Sequence, residues 1–254
     1  FKASKIDYIF ISHLHGDHFF GLVGLLSSLH LNGRTKPLHL FAPPALKEII
    51  ELQFLHSDTR LRYEIDFHSI DATKSEVIFR NNDVTVETII LNHRIPCTGF
   101  KFTEKKRLRK LIVEKLEQDR IPVEYYPMLK RSLNFDLPDG RHINHLDYTI
   151  DSAVPKIYCY CSDTMYDERY FSQIEGADTL YHEATFLHEM LDRANETHHT
   201  TAQQAAEIAT RVKAKKLLIG HFSSRYKTLE GLLEEAKNGF ENTQLATEGK
   251  TFEI

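Results

Sequence analysis

The stretch Ile11-Ser12-His13-Leu14-His15-Gly16-Asp17-His18, "ISHLHGDH", follows the apolar run Tyr8-Ile9-Phe10-Ile11 and leads into Phe19-Phe20-Gly21-Leu22. Three histidines and an aspartate fall within six residues, beside what reads as hydrophobic core. Burying one such group without a partner costs roughly a few kcal/mol, so four together require a common partner. A divalent cation is that partner. His13 and His15 project to the same side of an extended segment. Asp17 and His18 lie beyond a turn at Gly16, so the stretch can feed two adjacent metals with two residues each. Nitrogen and carboxylate ligands suit Zn²⁺, with Mn²⁺ or Fe²⁺ as substitutes.

Completing two metal sites needs further ligands at strand ends. His93 follows "VETIILN", Asp163 follows "KIYCYCS" and His221 follows "KKLLIG". Each comes directly after an apolar strand, at the carboxyl end where layered α/β sheets gather their active sites. Any one of them alone reads as a turn aspartate or a satisfied loop histidine. Three in the same structural position read as one site.

Strand-like runs surround these positions at 6–11, 37–41, 63–69, 76–80, 83–91, 99–102, 156–161, 178–181, 215–219, 243–247 and 251–254. Helices are expected at 19–31, 44–55, 167–175, 186–195, 201–213 and 228–240, with Thr200 or Thr201 capping the fifth. Helices set between strands indicate a layered α/β fold. With 254 residues, 41% of them hydrophobic, the chain can bury one large core or two modest ones. A net charge of −4 excludes a protein that coats nucleic acid through global basicity, although it leaves room for a local basic site. No apolar run approaches the roughly 18 residues of a membrane span, so no membrane partner is expected. The odd count of three cysteines, Cys97, Cys159 and Cys161, argues for reduced thiols and a cytoplasmic setting. Cys159 and Cys161 alternate on one strand face and read as small apolar filler rather than as a metal site. Residues 101–131 differ from the rest, with ten Lys or Arg against five acidic residues. Composition alone reads equally well as a solvated helix face or as an arm for a polyanion.

Taken together, "HLHGDH" at 13–18, "NHRIPCTGF" at 92–100, "CSDT" at 161–164, "HEATF" at 182–186, "HHTTAQQAA" at 198–206 and "GHFSSRY" at 220–226 resemble the ribonuclease Z family of the metallo-β-lactamase superfamily. The resemblance spans nearly the whole chain. The first motif marks only the superfamily, whereas the last three together are much narrower. The resemblance implies an αββα sandwich, a single domain over 1–254, with an inserted tRNA-binding arm at about 103–131. It also implies an endoribonuclease that trims the 3′ trailer from precursor tRNA with two Zn²⁺ per chain. His13, His15 and His93 would hold one ion, Asp17, His18 and His221 the other, and Asp163 would bridge them. Asp17 would also act as general base, and His199 would protonate the departing ribose oxygen, oriented by Glu183. His198 stands next to it, but the spacing to Thr200-Thr201 favours His199. Arg225 would contact the RNA backbone, and Lys105, Lys106, Arg107, Arg109 and Lys110 would form the arm's densest basic cluster. A homodimer is implied by the short form of the family.

Two features depart from the family pattern. The strands and the glycine-rich acidic segment that usually precede the His-rich motif are absent ahead of Phe1, so an incomplete first β-layer is expected. The usual arm carries Gly-Pro and a glycine after Leu-Lys, and "IPVEYYPMLKRS" has neither. Rival readings are another hydrolase of the superfamily, such as a thioesterase, lactonase or phosphodiesterase, or a tRNA-binding partner without activity. The former would not need "HEATF", "HFSSRY" or a basic arm, and the latter would be expected to have lost ligands. The nuclease branch for mRNA ends or DNA repair carries a large inserted domain for which this chain has no room.

Overall fold

Alternation along Leu38-His39-Leu40-Phe41-Ala42 decides how the first layer packs. In the computed structural model, which describes residues 2–254, this run is β2 (Leu38–Ala42), lying between β1 (Tyr8–Phe10) and β3 (Ile65–Ser69) in a parallel sheet. One face carries Leu38, Leu40 and Ala42 with Ile9, Ile65 and Phe67. It packs on Leu22, Leu26 and Leu29 of α1 (Gly16–Leu31) and on Leu46 and Ile50 of α2 (Ala45–His56). Phe10 and Phe41 point the other way. They meet Val86, Phe100 and Phe102 of a second sheet that opens with β4 (Val77–Arg80), β5 (Val84–Leu91) and β6 (Cys97–Glu104). Gly99 is required in β6, because a Cβ there would sit 2.5 Å from the Tyr160 carbonyl oxygen of the adjacent strand.

The chain then enters a separate compact unit made of residues 81–84 and 103–156. It holds β7 (Lys110–Leu111), α3 (Val113–Gln118), α4 (Tyr126–Lys130), β8 (Phe135–Asp136), β9 (His142–Ile143), α5 (His145–Tyr148) and β10 (Thr149–Ile150). Leu116, Ile121, Leu129, Phe135, Leu137 and Ile143 form its own small core. The basic run expected to end near 131 is therefore the first half of a unit that closes at Lys156.

Returning to the second sheet, the chain adds β11 (Ile157–Cys161), α6 (Phe171–Ile174), β12 (Thr179–Glu183), α7 (Leu191–Thr197), α8 (Ala202–Arg211), β13 (Leu217–Gly220), α9 (Glu230–Gly239) and β14 (Thr243–Leu245). The seven strands stand in the order β14-β13-β12-β11-β6-β5-β4, parallel from β11 through β14. Ala202, Ala205, Ala206 and Ala209 line the buried stripe of α8, and these small side chains let α9 approach through Leu232 and Ala236. Thr201, not Thr200, caps α8 in a reciprocal capping box with Gln204. Helices, sheet, sheet and helices thus stack in the expected αββα order. Cys159 and Cys161 are fully buried in the core between this sheet and its helices, as filler.

Three expected elements differ. Residues 251–254 form no strand, and the Glu253 carbonyl accepts from Lys216 Nζ instead of joining a ladder. The helix expected over 167–175 shortens to a 3-10 turn at Glu168–Tyr170 followed by α6, since Asp167 caps the turn and Gly176 turns left-handed at φ 72°. The helix expected from 186 starts only at Leu191, after a 3-10 turn at His188–Met190, because Phe186 is held extended in a bridge to Thr201.

Candidate metal centre

Strand ends assemble the site. His13 lies beyond β1, and His15 is extended (ψ 142°) at the cap of α1, so Asp17 and His18 sit in that helix's first turn. His93 follows β5, Asp163 follows β11 and His221 follows β13. All seven expected ligands converge, in one group of His13, His15, His93 and Asp163 and a second of Asp17, His18 and His221.

Asp163 joins the two groups. Its Oδ2 lies 3.6 Å from His13 Nε2 and 3.8 Å from His93 Nε2, while its Oδ1 lies 3.4 Å from His18 Nε2 and 3.3 Å from His221 Nε2. His13 Nε2 and His93 Nε2 each stand 3.1 Å from His15 Nδ1. Nitrogens this close either share a proton between tautomers or turn their lone pairs to a common cation. Burial, and then the neighbouring His18, push the fully buried His13 down to about 3, so it is neutral near pH 7 with a free lone pair. Burial would raise the Asp163 carboxyl, but the adjoining His18 and His221 overcome this and hold it well below the usual carboxylate range. His18 Nε2 is buried without an aligned hydrogen bond, 3.2 Å from Asp17 Oδ2 and 3.4 Å from Asp163 Oδ1; burial opposes its protonation, but these two carboxylates outweigh that and raise the imidazole. A buried imidazole held neutral and a carboxylate held ionised are the states that metal ligands need, so these residues fit divalent metal ions.

The surroundings hold each ring in place. His93 Nδ1 donates to the His198 carbonyl at 3.0 Å, leaving Nε2 for the site. His13 Nδ1 lies 3.0 Å from Ser12 Oγ. Thr185 Oγ1 donates to Glu183 Oε2 at 2.6 Å and accepts from His221 Nδ1 at 2.9 Å, so His221 also presents Nε2. His221 adopts a left-handed φ of 57°, which turns its ring back over the strand ends. Ser12, Thr185 and the His198 carbonyl escape a reading by residue type. Thr185 at least lies inside the quoted "HEATF".

Beside the ligands, the fully buried Glu183 closes β12. Its Oε1 accepts from Thr164 N at 2.7 Å and from His199 Nδ1 at 2.8 Å, and its Oε2 also accepts from Thr200 N at 3.1 Å. His199, rather than His198, is thus the histidine on Glu183. Burial opposes protonation of His199, but the Glu183 hydrogen bond and charge outweigh it and raise the imidazole above its ordinary value. The exposed Arg225 holds its guanidinium 5.0 Å over the Phe186 ring, which in turn packs 6.2 Å from His199.

In the other compact unit, Lys106, Arg107 and Lys110 are exposed and Lys105 is half-buried. Arg109 departs from the expectation of an RNA contact. Its side chain turns inward, donating to Thr149 Oγ1 at 2.6 Å and pairing with Asp151.

The αββα fold with this paired histidine–aspartate centre defines a metallohydrolase of the metallo-β-lactamase class. The chain is 43% identical to ribonuclease Z of Bacteroides fragilis over 247 residues, covering 97% of this chain and 81% of that protein. It is 47% identical to ribonuclease Z of Cytophaga hutchinsonii over 241 residues, covering 94% and 76%. It belongs to the ribonuclease Z family and is an endoribonuclease. Among solved structures, human tRNase Z, short form, superposes with a TM-score of 0.65 at 26% identity, covering 96% of this chain and 78% of that one. YhfI of Bacillus subtilis, a metallo-β-lactamase fold protein, gives 0.64 at 18% identity, covering 99% and 79%, and so shares the fold. A family profile for the anti-Pycsar protein Apyc1 matches residues 1–110. That stretch holds His13, His15, Asp17, His18 and His93 but not Asp163, Glu183, His199 or His221, so it speaks only to the shared first half of the centre.

Proposed function

We propose that this chain removes the 3′ trailer from precursor tRNA by hydrolysing one phosphodiester, leaving a 3′-hydroxyl on the tRNA and a 5′-phosphate on the trailer. His13, His15 and His93 would hold one Zn²⁺ and Asp17, His18 and His221 a second, with Asp163 shared; Mn²⁺ or Fe²⁺ could substitute. When bound, such a pair supplies Lewis-acid neutralisation of the charge that develops on the phosphate. The division of the two Asp163 oxygens between the two histidine groups is the observation that carries this reading.

The chain's own residues supply the proton transfers. Asp17, with its carboxylate 3.7 Å from His221 Nε2, takes the proton of the attacking water. His199 keeps its Nδ1 proton on Glu183 and gives the Nε2 proton to the leaving ribose 3′-oxygen. A carboxylate partner raises an imidazole's basicity, which suits that donation at neutral pH. Arg225, stacked over the Phe186 ring that packs near His199, meets the RNA backbone near the cut. The exposed Lys106, Arg107 and Lys110, with Lys105, grip the tRNA body. A homodimer in the cytoplasm completes the reading; no helix among the described residues is long and apolar enough to cross a membrane. Incubating the protein with a trailer-bearing precursor tRNA tests the whole: a product ending in a 3′-hydroxyl at the trailer junction is expected, and an uncut substrate with metal supplied would refute it.

A further inference from the structure

A second histidine–carboxylate cluster lies on the three-stranded sheet, and it shares no residue with the centre described above. Asp66 and His68 stand two apart on β3 and so occupy one face of the sheet. The parallel register sets His39 of β2 opposite Asp66. His39 Nδ1 lies 2.9 Å from Asp66 Oδ2, His68 Nε2 lies 3.1 Å from the same oxygen, and the two nitrogens are 3.4 Å apart.

We propose that His39, Asp66 and His68 form an additional divalent-metal site, suited to zinc, that ties β2 to β3. Zinc bonds of about 2.0–2.2 Å in tetrahedral geometry place ligand atoms roughly 3.3–3.6 Å apart. The sides of the triangle here, 2.9, 3.1 and 3.4 Å, reach that spacing with side-chain shifts of about half an ångström. The triangle also matches the catalytic groups, where the His13–His15 and His15–His93 nitrogens are 3.1 Å apart. Asp66 Oδ2 has a lone pair for each imidazole, so the same three atoms that pair through hydrogen bonds also converge on a point that one cation can occupy.

The rings are also held in place for the task. Tyr8 stacks on His39 with centroids 5.0 Å apart, and Phe41 stacks on His68 at 4.3 Å. Locking ligand rings by packing lowers the cost of ordering them on binding. The side chains of His39, Asp66 and His68 remain 34%, 44% and 38% exposed. An ion can therefore enter from solvent, and water can fill the coordination that three protein ligands leave open.

The test uses the full chain with its catalytic ions in place, titrated with ZnCl₂ by calorimetry and with Co²⁺ as a visible-absorption probe. The wild type should take up one equivalent beyond the catalytic pair, and its Tm should rise with zinc. His68→Gln keeps a donor toward Asp66, so the sheet should survive while the extra equivalent weakens at least tenfold. His39→Ala should lose it too, and both variants should cleave precursor tRNA at the wild-type rate. No additional equivalent in the wild type would overturn the proposal, as would uptake of equal affinity in the wild type and His68→Gln.

Discussion

Glu183 Oε1 lies 2.8 Å from His199 Nδ1, at the end of a buried strand whose neighbours carry Asp163 and His221 just beyond their own ends. This hydrogen bond singles out His199 from the His198-His199 pair, and with the proton on Nδ1 it leaves Nε2 for the proposed role of general acid. His199→Ala should therefore slow trailer cleavage by roughly 10²–10⁴-fold, the usual range for a general acid, while metal content stays unchanged. Elemental analysis beside single-turnover rates checks both halves; loss of zinc from the variant would make His199 a ligand.

Glu183 calls for a gentler change than truncation. Besides His199, it accepts from the backbone of Thr164 and Thr200 and from the Thr185 hydroxyl, all buried. Removing the carboxylate strands those donors at about 1–3 kcal/mol each, so Glu183→Ala would confuse folding with catalysis. Glu183→Gln should keep most of the fold and lower the cleavage rate less than His199→Ala does. Thermal unfolding run beside the kinetics separates the two effects.

Asp163 sets one oxygen toward His13 and His93 and the other toward His18 and His221, so under the proposed two-ion site its loss should be the most damaging. Two ions should stay with the wild-type ligands through exhaustive dialysis. Asp163→Ala should retain fewer ions than His15→Ala, whose imidazole serves only one group. A wild type that reproducibly holds one ion or none, with zinc supplied, would rule out the paired centre.

The convergence of His13, His15, Asp17, His18, His93, Asp163 and His221 was legible because these residues crowd into one stretch and then recur at the carboxyl ends of apolar strands, a position the sequence pattern reveals. Ser12, Thr185 and the His198 carbonyl were not, since their roles depend on which ring the fold brings alongside. The far boundary of the inserted unit was hidden for a different reason. Past Arg131 the charge contrast fades, and β8, β9, α5 and β10 are two to four residues long, too short to show a period. The late start of α7 followed from the Phe186–Thr201 bridge, a pairing across fifteen residues that no local preference reports.

His182 supplies a pH dependence of stability. It is fully buried, 2.9 Å from the Tyr170 hydroxyl and 2.7 Å from the Glu183 carbonyl, and burial holds its imidazole below the ordinary value. A depressed folded-state pKa means the unfolded chain binds the proton first as pH falls. The neutral imidazole's contribution is thus complete above about 6.5 and is lost as pH drops below that value. His182→Gln should lower Tm at pH 7.5 but lose less Tm on going to pH 5.5. Both proteins carry the same titratable residues everywhere else, so the difference between their pH profiles isolates position 182. Parallel profiles would show that His182 does not contribute.

The last prediction concerns the basic residues of the inserted unit, in a chain whose net charge is −4. Such a chain needs a local way to hold a polyanion. Lys106, Arg107 and Lys110 are exposed, whereas Arg109 is already committed to Thr149 and Asp151. Deleting the segment would cut through the unit's own core of Leu116, Leu129 and Phe135, so charge reversal is the cleaner change. Lys106→Glu, Arg107→Glu and Lys110→Glu together should raise KM for precursor tRNA. Every phosphate left without its cation should also flatten the slope of log affinity against log salt by about one. Hydrolysis of bis(p-nitrophenyl) phosphate should stay near the wild-type rate, because the proposed metal ligands all belong to the other compact unit. Arg109→Ala should act differently, lowering Tm by removing its bonds to Thr149 and Asp151, with little effect on the salt slope. Equal losses on both substrates would make the three cations structural, and unchanged tRNA kinetics would remove them from the grip.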